Sequence, residues 1–576
     1  MRVALATGFG LGLLGGVALG QFTSATSVAA GGSGSASPVI FKGTVLNRIT
    51  RAPVGRALVF SSDQQLAMMT DDRGRFEFKI GGQPDERSGD VPAATGTSAG
   101  TTVITTRFFQ VRKPGYLDSG QAPVRDASSS GDTTIYLQPE ALIVGKIDSG
   151  DAEHVLRFQV QLYRQEFREG QEHWQQAGTF TTWSDGEFRF AGLAAGAYKV
   201  ITLEQIDQGL FGLARGQEFG YPATFYPGMP DFASSGGIRV AAGETFDANF
   251  TVRRRPYYPV RIPVTAGDGE QGIKLVVYPL GHPGPGFSLG YEPGEQAIVG
   301  RLPDGGFTVG VMSFGANSAA GMTNFLVQGS AVQGADLNLV PNATMTVNVK
   351  EEFKYTSTAS PQPPPQIGQI PRGIGPTGPA LELELHPTED FGLAQQRSSR
   401  QVGDSTDTLE LANVVPGRYT VRASPTRGYA ASVLCGGVEL LRQPLVVGLG
   451  GISSPIEVTL RDDGAEVQGD VEDDDEASPT TASGSASMKT TRYVYFVPMP
   501  GSTGQYRQTA SNSQGAFIES QLPPGDYLVV AFAGSDPNLH LSFADAVAKY
   551  SAAGQVISLA PEQKLQLHLK TIAEEH

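Results

Sequence analysis

A chain of 576 residues is too long for one hydrophobic core, and at about 100 to 150 residues per domain it divides into four or five. Charged residues make up only 18 %, while glycine (73) and proline (38) are abundant, which favours short strands and many turns over long helices. The net charge of −15, with no basic cluster longer than Arg253-Arg254-Arg255, excludes nucleic acid and anionic lipid, since both demand a positive footprint.

The sequence opens with one charge at Arg2, an apolar glycine-rich run over 3–19 and then small polar residues, the pattern of a secretory signal occupying 1–30. Ala18-Leu19-Gly20 and Val28-Ala29-Ala30 both offer small residues to a signal peptidase; an uncleaved anchor is the alternative, and cleavage leaves no membrane span. The expected location is therefore exported: periplasmic, outer-surface or extracellular. Cys435 is the only cysteine, so no intrachain disulfide is available, and its apolar setting Ala430-Ala431-Ser432-Val433-Leu434 reads as that of a buried, inert thiol.

From residue 38 a repeat organises the chain. The first unit, 38–138, starts with the strand candidate Val39-Ile40-Phe41-Lys42-Gly43-Thr44-Val45 and carries Gly74-Arg75-Phe76 after Asp71-Asp72, a tight turn that launches a strand. The triad Gly-x-Phe recurs as Gly186-Glu187-Phe188, Gly305-Gly306-Phe307 and Gly515-Ala516-Phe517, at a spacing of about 115 residues with one gap near twice that. A second signature, Leu-x-x-Gly-x-Tyr, occurs as Leu193-Ala194-Ala195-Gly196-Ala197-Tyr198 and Leu522-Pro523-Pro524-Gly525-Asp526-Tyr527, with Val414-Val415-Pro416-Gly417-Arg418-Tyr419 between them. Together they describe a hairpin whose alternate residues face a core. The further units are 139–253, 254–341, 342–462 and 463–576. The third lacks Gly-x-Tyr; the fourth lacks Gly-x-Phe and holds a proline-rich insertion over 361–379. About 100 residues and six or seven strands per unit is the size of an immunoglobulin-like sandwich, and short linkers predict a semi-rigid rod.

Chemistry-bearing candidates are few. In the second unit the aromatic segment Phe219-Gly220-Tyr221-Pro222-Ala223-Thr224-Phe225-Tyr226 runs on to Asp231-Phe232, with Trp174 and Trp183 nearby. Aromatic faces stack on sugar rings, so Trp174, Trp183, Tyr221, Phe225 and Tyr226 form a candidate sugar-binding patch, with Asp231 or Glu218 to bond hydroxyls. The competing reading is that these rings close the end of the sandwich or pack on the next unit. His386-Pro387-Thr388-Glu389 has the His-x-x-Glu spacing of a zinc pair, but it follows the alternating strand Leu381-Glu382-Leu383-Glu384-Leu385, and a third ligand such as His540 would have to come from another unit. The acidic run Asp470 to Glu476 has neither the spacing nor the glycine of a calcium loop and reads as solvated. No nucleophile elbow, P-loop or dinucleotide fingerprint is present, so no metal and no cofactor is expected. The one helix expected spans 541–553, with Phe543, Val547 and Tyr550 on one face, and a closing strand follows at Leu565-Gln566-Leu567-His568-Leu569.

Gly43-Thr44-Val45, Pro53-Val54-Gly55-Arg56-Ala57-Leu58-Val59, Thr70-Asp71-Asp72-Arg73-Gly74-Arg75-Phe76-Glu77-Phe78 and Lys113-Pro114-Gly115-Tyr116 together resemble the carboxypeptidase regulatory-like domain, a transthyretin-like seven-stranded sandwich. The second and fifth units resemble it or the related collagen-adhesin B-type and carbohydrate-binding-like sandwiches. The resemblance implies an accessory, non-catalytic module at the cell surface or envelope, with polysaccharide or protein as partner, and motif residues that are structural. The expectation is an all-β, non-enzymatic array of tandem immunoglobulin-like or transthyretin-like sandwiches that binds polysaccharide or protein. The alternatives are a spacer or stalk, and a hydrolase built on the His386 and Glu389 pair.

Overall fold

Alternation of apolar side chains along short strands is the local rule that builds this chain. In the strand Ala141–Asp148 every second residue is buried, and the pattern repeats in Ile456–Arg461 and Ala465–Glu472. The computed structural model describes residues 39–62, 65–80, 107–118, 122–124, 133–150, 157–207, 217–265, 272–315, 318–332, 334–354, 381–400, 408–472, 492–512, 514–533 and 539–572. The signal expected at 1–30, the proline-rich insertion at 361–379 and the acidic residues 473–476 lie outside them. Strands dominate, and the single helix among the described residues, Phe543–Tyr550, stands near the C-terminal end, capped by Ser542 Oγ accepting from the Asp545 N–H.

Five apolar cores are each drawn from one continuous stretch: 41–137, 141–252, 260–337, 345–460 and 465–569. The same ladder recurs in each. Val39–Asn47 pairs antiparallel with Arg75–Ile80 and parallel with Thr133–Leu137. Ala141–Asp148 does so with Glu187–Leu193 and Thr245–Asp247, Arg255–Thr265 with Ala297–Pro303 and Leu337–Asn338, Ala343–Glu352 with Thr408–Val414 and Ile456–Arg461, and Ala465–Glu472 with Ala516–Leu522 and Lys564–Ile572. The chain is thus a tandem array of immunoglobulin-like, all-β sandwiches, numbered here one to five in chain order. Cys435 is buried in the fourth core, where burial raises its thiol pKa.

The two sequence signatures are the joints of this ladder. Gly74, Gly186 and Gly515 hold φ of 73°, 84° and 87°, and their carbonyls accept from the N–H of Val45, Ile147 and Val471 at 2.7, 3.0 and 2.9 Å. A Cβ at Gly186 would lie 2.4 Å from the Ile147 carbonyl oxygen, so glycine is required there for space as well as for φ. The following Phe lies against a glycine of the first strand. At Gly145 an added Cβ would stand 2.5 Å from Phe188 Cζ and 2.4 Å from the Ala248 carbonyl oxygen. In the second signature the tyrosine hydroxyl donates to a carbonyl four residues back: Tyr198 to Ala194, Tyr419 to Val415 and Tyr527 to Pro523, at 2.7, 2.6 and 2.6 Å. Each bond fastens a hairpin corner.

The third sandwich corrects the repeat assignment. Gly305, read from sequence as a Gly-x-Phe copy, has φ 152°, matching Gly196 (153°) and Gly525 (151°), and it starts the strand Gly305–Ser313 that follows the hairpin turn. Phe307 therefore stands where Tyr198 and Tyr527 stand, without the hydroxyl. The left-handed position is held by Gln296 at φ 47°, whose carbonyl accepts from the Val264 N–H at 2.8 Å.

The linkers do not produce a rod. The strands Gln205–Ile206 and Glu218–Tyr221, from the second stretch, join Arg255–Thr265, Ala297–Pro303 and Gly290–Glu292 of the third in one sheet, so pairing runs straight across the expected 253/254 boundary. Between the fourth and fifth cores, Asp463 is 1 % exposed; its carboxylate accepts from the Tyr429 hydroxyl at 2.9 Å and faces Arg461 Nη2 at 3.0 Å and Lys354 Nζ at 3.5 Å. The chain then folds back on itself. The hairpin tip of the second sandwich puts Glu169 against Arg422 of the fourth, and Gly170, at φ 74°, so close to the Phe543 ring of the fifth that a Cβ would lie 2.5 Å from it.

Gly145→Ala is expected to destabilise the second sandwich by about 1–3 kcal/mol through overpacking. Amide exchange should accelerate in Ala141–Asp148 and Glu187–Leu193 while Ala465–Glu472 keeps its wild-type protection.

Candidate functional site: an aromatic face between sandwiches

The strands Gln159–Arg168, Gln171–Thr181 and Gly196–Thr202 form one sheet, and alternation sends Leu162, Tyr198 and Val200 into the second core. Its opposite face carries Tyr163 and Ile201, joined by Trp174, Ala223, Phe225 and Phe232. A sheet apolar on both faces must be covered twice. Lys199 rises among these rings, 4.9 Å from the Trp174 centroid and 4.4 Å from that of Phe232, and its ammonium donates to the Phe232 carbonyl at 2.7 Å. Burial lowers its pKa, and the negative charges of Glu172 and Asp231 oppose that shift.

Two loops from other sandwiches cover the face. From the third, Phe287 reaches it while stacking edge-on with Phe307 at 5.2 Å. From the fourth, Phe391 lies 4.8 Å from Phe232 and 5.6 Å from Tyr163. Beside Phe391, Asp390 accepts from the Trp174 N–H at 2.7 Å, and its other carboxylate oxygen stands 2.7 Å from His173 Nδ1. Leu393, two residues on, enters the third sandwich instead, packing with Met312, Ala320 and Val276, and Lys274 Nζ donates to the Gly392 carbonyl at 3.4 Å. The loop 388–394 is thus a wedge between the second and third sandwiches.

At the seam of the second and third sandwiches, Glu204 Oε1 accepts from the Ser288 N–H at 2.6 Å and the Ser288 hydroxyl at 2.8 Å, and the Glu204 N–H donates to the Gly286 carbonyl. Burial outweighs those two hydrogen bonds and pushes the Glu204 pKa up to about 7. Burial, with the Glu204 charge second, raises the pKa of the neighbouring Tyr257 hydroxyl.

The five rings marked in the sequence do not share a surface. Tyr221 is 2 % exposed, inside the second core and edge-on to Phe158 at 5.2 Å; Phe225 is 0 % exposed beneath the seam. Tyr226 packs on Phe246 and Phe250, both at 6.1 Å. Trp174 is the seam residue just described. Only Trp183 faces solvent, at 50 %, with Phe180 edge-on at 5.0 Å. The hydroxyl-bonding candidates are committed elsewhere: Asp231 accepts from the Ser234 N–H at 2.8 Å, and Glu218 pairs with Arg301 Nε at 2.8 Å. A joint stacking platform is therefore not formed, because burial of these rings closes the sandwich and its seams. His386 sits on the strand Leu381–Pro387 with Nε2 3.2 Å from Glu384 Oε2, and among the described residues no three of His, Cys, Asp and Glu are grouped to hold a metal ion. The His386-Pro387-Thr388-Glu389 quartet leads into the wedge. Phe391, Asp390, Phe287, Lys199 and Glu204 escaped the sequence reading; a lone phenylalanine in a polar loop, as at Glu389-Asp390-Phe391, is the signal by which one of them could have been found.

No protein-family model matches this chain, and no characterised protein matches it in sequence, so the carboxypeptidase regulatory-like resemblance finds no such counterpart. Solved structures that align with it include the shaft pilin SpaA from Lactobacillus rhamnosus GG, at 12 % identity over 37 % of this chain and 98 % of that one, with a TM-score of 0.16. A minor pilin of Streptococcus agalactiae aligns at 13 % identity over 40 % of this chain and 100 % of that one, TM-score 0.17. The RrgB pilus protein from Streptococcus pneumoniae aligns at 10 % identity over 76 % and 98 %, TM-score 0.13. The fold assignment rests on this chain's own strand ladders.

Phe391→Ala is expected to weaken the wedge seam by about 2 kcal/mol. In a Trp183→Phe background the emission of Trp174 should shift to the red as water reaches the face, and an unshifted spectrum would contradict the packing role given to Phe391.

Proposed function

We propose that this chain is an exported, non-catalytic structural protein of the cell surface, a scaffold that holds tandem sandwiches in one fixed arrangement. The observation that carries the reading is the wedge: the outer apolar cluster of the second sandwich is occupied by Phe391 and Phe287 of other sandwiches, so rings available for a ligand hold the array together instead. The boundaries 38–138, 139–253, 254–341, 342–462 and 463–576 are proposed for the modules, with a secretory signal at 1–30 ahead of them. Membership of the carboxypeptidase regulatory-like class belongs to the same proposal, supported by the Gly-x-Phe turn and its glycine partner in the first strand. The surface partner of such a scaffold is another cell-surface protein.

A second reading is favoured by one ring. Trp183, exposed beside Phe180 at the end of the second sandwich, offers a single stacking face for a polysaccharide.

Small-angle scattering and co-sedimentation with insoluble polysaccharides, peptidoglycan included, separate the two. The scaffold predicts a folded-back particle much shorter than five sandwiches laid end to end, and no sedimentation with any polymer. Binding that disappears in Trp183→Ala would establish the second reading, and an extended rod would overturn the first.

A further inference from the structure

Two loops from different sandwiches reach the second, and both are fastened by the same device. The third-sandwich loop presents Phe287 to the aromatic face and, next to it, Ser288, whose N–H and hydroxyl donate to Glu204 Oε1 at 2.6 and 2.8 Å. The fourth-sandwich loop presents Phe391 and, next to it, Asp390, which accepts the Trp174 N–H and lies 2.7 Å from His173 Nδ1. Each seam couples one inserted ring to one titratable residue of the second sandwich.

Glu204 Oε2 is buried without a hydrogen bond, and the groups that face it are Ser288 from the loop and Tyr257 from the strand Arg255–Thr265, with Arg255 acting on Tyr257. Burial makes the neutral carboxyl the form that the closed seam accommodates, with a pKa of about 7. A carboxyl raised in the closed state favours closure most below the ordinary carboxylate pKa, and that contribution is lost as pH climbs through about 7. Acid therefore strengthens the Glu204 contact. At the other seam, Asp390 bridges the Trp174 N–H and His173 Nδ1, with Glu172 nearby holding the Trp174 indole N–H at 2.7 Å.

We propose that the Glu204–Ser288 seam forms a proton-operated clamp on the second sandwich, seating the loop of the third in acid and releasing it at mildly alkaline pH. The clamp adds control to an arrangement that the scaffold reading treats as fixed.

The Ser288 N–H, bound to Glu204, reports on it directly, and the Trp174 N–H, bound to Asp390, reports the state of the other seam alongside. Their exchange is measured in the full chain from pH 5 to 8.5, corrected for the intrinsic pH dependence of exchange. The expected result is a loss of protection at Ser288 as pH rises, approaching about a hundredfold, since a carboxyl held at about 7 against an ordinary value of 4.5 corresponds to that order of change. Glu204→Gln should flatten the Ser288 profile. A flat wild-type Ser288 profile, or a Ser288 slope that survives Glu204→Gln, would overturn the clamp. Should Glu204→Gln not fold, the carboxyl carbon of Glu204 is titrated by NMR in the wild-type chain, where a midpoint in the ordinary carboxylate range also overturns it. A chain that binds a polysaccharide yet keeps the Ser288 slope retains the clamp and loses the scaffold reading.

Discussion

The sheet formed by Gln159–Arg168, Gln171–Thr181 and Gly196–Thr202 carries apolar side chains on its outer face as well as its inner one, and the arrangement of the array follows from that constraint. One sandwich can cover only one face of its own sheet. The other must be covered from outside, and the chain supplies Phe287 and Phe391 from modules far along the sequence. Bringing the fourth sandwich back to the second then sets the hairpin tip Glu169-Gly170 against Arg422 and Phe543, so the fifth module is drawn in as well. A hydrophobic requirement on one sheet thereby becomes a rule for placing modules.

Charged groups within the seams are tolerated because each has a partner or an aromatic face. Asp463 meets Tyr429, Arg461 and Lys354, and Lys199 lies over two rings while bonding a carbonyl. Glu204 stands apart, since burial dominates its environment and its second oxygen carries no hydrogen bond. Buried polar groups of this kind specify one packing over others, because an alternative register would leave them unmatched.

Much of the fold was legible in the sequence. Gly-x-Phe and Gly-x-Tyr marked hairpins whose chemistry is local: a left-handed glycine, a ring against the first strand and a hydroxyl bonded four residues back. The same locality explains the misreading of the third module. Phe307 keeps the ring but has no hydroxyl, and Gln296 keeps the left-handed turn without a glycine, so both signatures survive as geometry after their residue types have changed. Cys435 in its apolar strand was read correctly for the same reason.

The sequence by itself determined the class of the protein: an all-β chain of repeated sandwiches with one short helix near its end, because alternation, turns and hairpin corners are encoded within a few residues of each other. Only the tertiary structure decided what the aromatic residues are for. Tyr221 and Phe225 are buried, Trp183 is left in solvent, and Trp174 receives Asp390 from 216 positions away. Which face of a ring is covered depends on contacts between modules, and no local pattern in the chain records the partner that will arrive.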